Sequence, residues 1–153
     1  MTSLTIHSSC VAFGNKAILM RGKPASGKSD LVLQLIDSQG HGLGERLLRA
    51  KLVADDQVVL SRVGDVVFAS PPEILKGKLE MRGRGIITIS HKSKAKLELV
   101  IDLLPRVEIA RMPENDAMIT EILGVQFPRY EIDPTAPSAA ARIRSLLSEM
   151  HFT

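Results

Sequence analysis

The sequence predicts an α/β fold in which a mixed, strand-rich sheet is built around one glycine-rich loop. Two observations support this prediction. Residues 17–20 form a short apolar run that leads through a glycine-rich segment into a helix-like pattern at residues 29–37. Along the chain, apolar segments typical of strands outnumber those typical of helices. A simple alternation of strands and helices is therefore not expected, and a mixed sheet fits the pattern better.

The first part of the chain is typical of a hairpin followed by a loop and a helix. Two apolar runs, SSCVAFG and KAILMRG, meet at Gly14-Asn15, a dipeptide suited to a tight turn between strands. The second run leads directly into the glycine-rich segment. Beyond that segment, the apolar residues of 29–37 recur at the spacing of a helix with one buried face.

The middle of the chain is expected to be rich in strands. Glycines punctuate residues 38–49, which predicts a turn, and a strand follows at residues 51–54. Residues 57–70 are typical of a hairpin whose turn lies near 62–65. The prolines and glycines of residues 70–85 predict an ordered loop.

The last third combines strands, a polar loop and a helix. Strands are expected at residues 86–90 and 96–104. Residues 105–120 are polar and predict a loop, and 121–133 predict one or two extended pieces broken at Pro128. The alanine-rich residues 138–150 predict a helix with Ser138 as its N-cap.

Length and composition are those of one globular domain over residues 1–153. Hydrophobic residues make up 44% of the chain and charged residues 24%, and the net charge is +3. Aromatic residues amount to 3%, which argues against a nucleic-acid surface that stacks bases. The single cysteine, Cys10, excludes an intrachain disulfide. Apolar runs are too short to span a membrane and the first residues lack signal-peptide features, so we expect a cytoplasmic protein.

The glycine-rich segment carries the strongest functional signal. Gly22 is followed, after four residues, by Gly27-Lys28-Ser29, which fits the phosphate-loop pattern between a strand and a helix. Glycines let backbone N–H groups point at an anion at the start of a helix. Lys28 would bind the β- and γ-phosphates of a nucleotide, and the Ser29 hydroxyl would join the coordination of Mg²⁺.

Acidic residues follow at a suitable distance. Asp55-Asp56 ends an apolar strand, where carboxylates can hold Mg²⁺ or accept a proton from a hydroxyl nucleophile. Taken alone, this pair would favour a solvated turn, but its position one helix and one turn after the phosphate loop favours a metal-binding or catalytic role. Histidine side chains can take part in acid–base chemistry, although a single histidine on a strand, such as His7, is more often structural.

A second charged segment precedes the strand at 86–90. Glu80, Arg82 and Arg84 alternate with glycines just before that strand. Arginines beside glycines suit a loop that approaches phosphates closely. The alternative interpretation is a charged edge of a hairpin.

Together, GKPASGKS, LVADDQV and LEMRGRGII resemble the catalytic domain of HPr kinase/phosphorylase, over a span from His7 to about Ile132. The chain resembles the short single-domain versions found in alphaproteobacteria. The resemblance implies an enzyme that uses ATP and Mg²⁺ to phosphorylate a serine of HPr, the small carrier of the phosphotransferase system. It also implies removal of that phosphate by inorganic phosphate, which gives pyrophosphate. The implied fold is a phosphate-loop core like that of phosphoenolpyruvate carboxykinases.

The resemblance also implies roles for individual residues. The nucleotide phosphates would be held by Gly22, Lys23, Pro24, Ala25, Ser26, Gly27, Lys28 and Ser29. The metal would be held by Ser29 and Glu80. The catalytic residues would be His7, Lys28, Asp56 and Arg111, with Arg106 as a rival for the arginine. The rest of the phosphate site would be formed by Asp55, Arg82, Gly83, Arg84 and Gly85.

Departures from the family limit what the resemblance implies. Full-length members carry an N-terminal domain, which is not expected here, so their hexameric assembly need not carry over. A homo-oligomer of another kind stays open as an alternative to a monomer. The segment QFPRYEIDP matches the stretch linked to dephosphorylation only loosely, so the kinase direction is expected more firmly than phosphorolysis. Two alternatives stay open: a phosphate-loop kinase of another acceptor, and a nucleotide-sensing module without turnover.

Overall fold

The computed structural model describes residues 2–150, which contain two helices and eleven strands. The helices are α1 (Lys28–Asp37) and α2 (Ala139–Met150). The strands are β1 (Thr2–His7), β2 (Ser9–Phe13), β3 (Lys16–Arg21), β4 (Lys51–Ala54), β5 (Gln57–Val63), β6 (Val66–Ser70), β7 (Lys78–Met81), β8 (Gly85–Thr88), β9 (Ala95–Leu103), β10 (Ile119–Ile122) and β11 (Val125–Ile132). Short 3₁₀ turns occur at Glu73–Leu75, Arg106–Glu108 and Asn115–Met118. Neither helix is long and apolar enough to cross a membrane.

Nine strands form one mixed sheet in the order β1-β5-β6-β9-β3-β2-β4, with β11 and its hairpin partner β10 joined to β9. Strand β9 runs parallel to both β3 and β11, and the other pairings of this sheet are antiparallel. Strand β6 pairs with the start of β9, whereas β11 pairs with its end. The predicted mixed, strand-rich α/β fold is therefore confirmed.

Two apolar clusters fill the two faces of the sheet. Successive residues of β2 and β3 alternate between the clusters, as side chains of a strand do: Val11 and Ile18 belong to one, Ala12 and Leu19 to the other. The first cluster includes the buried faces of α1 and α2. The second contains strand residues without a helix, including residues of β5, β6 and β11. The sheet curls so that its own outer strands cover this face.

The strands and the helix around the glycine-rich loop agree with those predicted from the sequence. Strands β2 and β3 form the predicted hairpin, with Gly14 at φ +63° in its two-residue turn. Helix α1 begins at Lys28 and buries Leu31, Val32 and Leu35, the apolar positions that predicted it. The predicted strand at 51–54 and the hairpin at 57–70 are also present.

Two predictions about the second half are wrong. Residues 70–85 were expected to be a loop, but they contain a 3₁₀ turn and strand β7, which pairs with β8 in a separate two-stranded sheet. Pro128 does not break the chain, because β11 runs through it. The register with β10 ends at Pro128 and the register with β9 begins at Arg129. The missing N–H of the proline thus falls where the strand changes partners.

Helix α2 is anchored on the glycine-punctuated segment 38–44. Ser138 precedes the helix, and its carbonyl accepts the N–H of Arg142 at 2.9 Å, as expected of an N-cap residue. Arg144 is buried and donates to the Ser38 carbonyl at 2.8 Å. A Cβ at Gly42, where φ is +55°, would lie 2.2 Å from the Arg144 carbonyl carbon, so only glycine fits there.

Candidate functional site

The glycine-rich loop (residues 22–29) connects β3 to α1 in a tight turn. The Ser26 N–H donates to the Lys23 carbonyl at 3.1 Å, and Ala25 and Gly27 both have positive φ, +62° and +99°. A Cβ at Gly22 would lie 2.9 Å from the Ser26 hydroxyl, so the close approach requires glycine. The loop therefore wraps the N-terminus of a ten-residue helix, where unpaired backbone N–H groups favour an anion.

Lys28 folds back over this loop. Its ammonium donates to the carbonyls of Gly22, at 2.7 Å, and of Lys23, at 2.9 Å. Burial lowers the pKa of Lys28, while the charges of Asp55 and Asp56 act in the opposite direction. A positive charge thus lies at the centre of the loop, held by bonds that an anion can replace.

Asp55 ties three elements together at the end of β4. Its carboxylate is buried and accepts the Ser9 hydroxyl at 2.7 Å and the Ser29 hydroxyl at 2.9 Å. It also accepts the backbone N–H of Glu80 at 3.3 Å. Strand β2, the start of α1 and strand β7 therefore converge on one carboxylate.

The next residue, Asp56, has the opposite environment. Its φ is +73°, in the left-handed region, and its side chain is 76% exposed. The nearest ionisable partner is His7, whose Nδ1 lies 4.0 Å from Asp56 Oδ1 and whose side chain is also exposed. Adjacent carboxylates in sequence thus form one buried, hydrogen-bonded group and one solvent-facing group that an incoming molecule can reach.

The charged segment at 80–85 is a hairpin tip. Glu80 lies on β7 and has an exposed side chain, and only its backbone N–H contacts Asp55. Arg82 and Arg84 are exposed in the turn to β8, where the glycines have φ of +88° and +101°. Within residues 2–150 neither guanidinium has a hydrogen-bond or ion-pair partner, and both lie next to the strand that reaches Asp55.

The two candidate arginines differ in position. Arg111 is exposed, and its side chain forms no hydrogen bond or ion pair with residues 2–150. Arg106 lines a cleft of about 200 Å³ together with Ser26 of the loop and the segment 133–135. In the same cleft, Thr135 and Arg106 lower the pKa of Asp133, the bonds from Thr135 contributing most. Of the two, Arg106 is the one that shares a cleft with the glycine-rich loop.

Sequence reasoning missed two sets of residues that support this site. Ser9 is one, and its signal was a pair of serines at the start of an otherwise apolar run. The other is an ion-pair network at the ends of β3, β9 and β11. Arg21 Nε donates to Asp102 Oδ1 at 2.7 Å, and Arg129 donates to Asp102 Oδ2.

This network anchors the start of the loop, because Gly22 directly follows Arg21. Partial burial alone would raise the pKa of Asp102, but the hydrogen bonds and charges of Arg21 and Arg129 outweigh it and lower that pKa. Its sequence signal was an aspartate inside the apolar run of β9.

No cluster of three or more His, Cys, Asp or Glu residues within 2–150 has metal-binding geometry. Ser29 and Asp55 nevertheless place a hydroxyl and a carboxylate together beside the loop. Such oxygen ligands suit Mg²⁺, which usually takes only one or two from a protein and completes its shell with phosphate and water.

Comparisons with known proteins identify the family to which the chain belongs. Residues 1–145 match the family model of the HPr serine kinase C-terminal domain. The HPr kinase/phosphorylases of Malacoplasma penetrans and Burkholderia lata are 30% and 32% identical, in alignments of 140 and 142 residues that cover 85% and 86% of this chain. The chain spans only 43% and 41% of the length of these two relatives.

A solved structure shares the fold. The Hpr(Ser) kinase/phosphatase from Coxiella burnetii superposes with a TM-score of 0.76 at 22% sequence identity, covering 97% of each chain. The fold and the family match agree with the resemblance expected from the three sequence motifs. The chain belongs to the HPr serine kinase C-terminal domain family.

Proposed function

We propose that this chain transfers the γ-phosphoryl group of ATP to a serine of the phosphocarrier protein HPr. The observation that carries the proposal is the pair of carboxylates at the glycine-rich loop: Asp55 bonded to Ser29, and Asp56 exposed beside His7. Family membership and the names of the curated relatives support the choice of acceptor. In this proposal residues 22–29 are a phosphate-binding loop within a phosphoenolpyruvate carboxykinase-like core.

The loop would bind the nucleotide phosphates through backbone N–H groups and the Lys28 ammonium. Lys28 would exchange its two carbonyl partners, Gly22 and Lys23, for phosphate oxygens. Pro24 has no N–H to offer, so the contacts fall to the other backbone groups of the loop. The negative charge of the transferred phosphoryl group would be balanced by the remaining cations, which are Arg82 and Arg84 on the hairpin tip and either Arg106 or Arg111.

The residues beside the loop fit a bound Mg²⁺. Ser29 and Asp55 would hold the ion, with Glu80 nearby on β7 as the further carboxylate. When bound, the ion would neutralise charge on the β- and γ-phosphates. Ser9 would keep the Asp55 carboxylate oriented through its 2.7 Å hydrogen bond.

Asp56 would act as the general base. Its exposed carboxylate can accept the proton of the acceptor serine hydroxyl as the serine oxygen attacks the γ-phosphorus and the bond to ADP breaks. His7, whose Nδ1 lies 4.0 Å from Asp56 Oδ1, would hold the Asp56 carboxylate in place. In the reverse direction inorganic phosphate would attack the phosphoserine phosphorus, the serine oxygen would leave with the proton of Asp56, and pyrophosphate would form.

A phosphotransfer assay tests the proposal. Labelled ATP, Mg²⁺ and HPr would be incubated with wild type, Asp56→Asn and Lys28→Ala, and HPr would be examined by mass analysis for phosphoserine. We expect phosphoserine with wild type, and little with either variant. Pyrophosphate released after addition of inorganic phosphate would support the reverse reaction.

Other outcomes separate the alternatives. ATP binding without phosphorylation of HPr, together with transfer to a different acceptor, would reassign the substrate. ATP binding without any transfer would favour a nucleotide-sensing module. Activity that survives Asp56→Asn unchanged would remove Asp56 from the role of base.

A further inference from the structure

A second cleft opens beside the exposed pair His7 and Asp56. Its volume is about 430 Å³, and it lies between β1 and β5 on one side and the β10–β11 hairpin on the other. The apolar residues of its lining are Leu4, Ile6, Leu60, Ile122 and Leu123. The polar residues are His7, Ser8, Arg21, Gly22 and Glu121.

The cleft is continuous with the reaction site but separate from most of the glycine-rich loop. Its lining includes His7, which lies 4.0 Å from Asp56, and Gly22 is the only residue of the glycine-rich loop in that lining. Arg21, its one arginine, is already neutralised by Asp102. Phosphate groups would therefore find few free donors here, whereas an apolar side chain would find five apolar neighbours.

Ser8 gives the cleft an unsatisfied polar group. Its backbone N–H donates to the Asp56 carbonyl at 3.2 Å, so the residue is fixed next to the candidate base. The side chain is fully buried, and its Oγ has no hydrogen-bond partner within residues 2–150. Buried hydroxyls normally have a partner, so this one could accept a hydrogen bond from an incoming chain, or donate one to it, once the Ser8 side chain rotates toward the cleft.

We infer that this cleft binds an apolar side chain of the acceptor polypeptide, within two residues of the serine that is phosphorylated. A backbone polar group of the same segment would complete the hydrogen bonding of Ser8. The spacing fits, because His7 lines the cleft and its Nδ1 lies 4.0 Å from Asp56 Oδ1, and two residues of an extended chain advance about 7 Å. This inference rests on the proposed function, since it names the part of the acceptor that the enzyme selects.

A matched pair of exposed substitutions tests the inference on the full chain. Leu4 lines the cleft and is 43% exposed, whereas Thr5, the next residue of the same edge strand, is exposed and outside the lining. With Leu4→Glu we expect the KM for HPr to rise by about tenfold or more and the KM for ATP to stay within about twofold. Thr5→Glu adds the same charge and should change neither constant.

A charge exchange makes the test specific. Each apolar residue within two positions of the target serine of HPr would be replaced in turn by lysine, and one replacement should restore transfer by Leu4→Glu. Equal effects of Leu4→Glu and Thr5→Glu, or no effect of either, would overturn the inference. A rise confined to the KM for ATP would also overturn it, because the cleft would then bind the nucleotide.

Failure of the proposed function is distinguishable from failure of this inference. If wild type transfers no phosphate to HPr, the proposed function fails, and calorimetric titration of HPr against wild type, Leu4→Glu and Thr5→Glu then decides about the cleft. Weaker binding to Leu4→Glu alone would support the inference. Equal binding to all three, or binding to none, would overturn it.

Discussion

At the scale of single residues, the site depends on a reversal of direction between Asp55 and Asp56. The left-handed φ of Asp56 lets its side chain face solvent while the preceding carboxylate stays buried against Ser9 and Ser29. An L-residue in this region costs about 1–2 kcal/mol relative to glycine. The chain therefore retains a strained residue at the position of the proposed base, whose carboxylate has to be exposed.

Comparison of Asp56→Gly with Asp56→Ala separates this strain from the chemistry. Both variants should lose phosphoryl transfer by a factor of about 10²–10⁴, because both lack the base. Glycine adopts positive φ freely, so Asp56→Gly should have a free energy of unfolding about 1 kcal/mol above that of Asp56→Ala. Urea unfolding measures the difference. Equal stabilities would show that the fold does not impose the left-handed conformation.

The ion pairs of Asp102 predict a pH-dependent contribution to stability. The pKa of Asp102 is lower in the folded protein than in the unfolded chain, so the carboxylate stabilises the fold above its unfolded pKa and loses this effect as the pH falls through its folded pKa. Asp102→Asn should therefore cost about 2 kcal/mol near neutral pH, and the cost should shrink in strong acid.

Urea unfolding of wild type and Asp102→Asn, from neutral pH to strong acid, gives the difference in their free energies of unfolding. Asp65→Asn is the control, because Asp65 is fully exposed and its contact with Arg62 is a surface pair at 3.7 Å. A deficit of Asp102→Asn that stays constant down to strong acid would rule out the ionic explanation.

At the scale of elements, contiguous motifs could be predicted, but pairings between segments far apart in the sequence could not. The glycine-rich loop, α1 and the β2–β3 hairpin are specified by residues close together in sequence, so local pattern was sufficient. Strand β7 was missed because its apolar residues are few and it is flanked by prolines and glycines. Ser9 and Asp102 were missed as site residues because their roles depend on which strands become neighbours.

The attachment of α2 to the segment 38–44 can be tested with two glycines of similar conformation. Gly42 and Gly64 have φ of +55° and +63°, but a Cβ would clash with Arg144 at Gly42 and meet nothing within 4 Å at Gly64. Gly64→Ala should therefore cost about 1 kcal/mol from backbone strain alone. Gly42→Ala should cost about 3 kcal/mol or more, because the helix must shift. Urea unfolding of both variants measures the costs, and equal costs would contradict the close packing of α2.

At the scale of the whole molecule, the fold class was predictable from the number of strand-like and helix-like segments. The curl of the sheet was not, because it follows from registers between distant segments, such as β1 with β5 and β3 with β9. The same registers bring His7, the glycine-rich loop and Asp55-Asp56 to one place. The sequence motifs identified these residues, and the pairing of the strands brings them close together.

Binding of nucleotide should stabilise the whole domain. A ligand present at about 100 times its Kd adds about 2.7 kcal/mol to the free energy of unfolding. We therefore expect ATP with Mg²⁺ to raise the thermal midpoint of wild type, and chelation of the metal to reverse most of the rise. Lys28→Ala should respond much less, whereas Asp56→Asn should respond like wild type because its change lies outside the loop. A similar rise in Lys28→Ala would mean that the nucleotide binds elsewhere.

The parallel pairing of β3 with β9 also has a consequence for synthesis of the protein. Arg21 and Asp102, which meet across this pair, are 81 positions apart. During translation the glycine-rich loop therefore leaves the ribosome long before the strand that flanks it, and at about 5–20 residues per second the delay lasts for seconds. In that interval the nascent chain contains every residue of the loop and no neighbour for β3 on that side. Competence to bind nucleotide should consequently appear late, once β9 and β11 have emerged, and an arrested nascent chain that ends before β9 should not retain ATP.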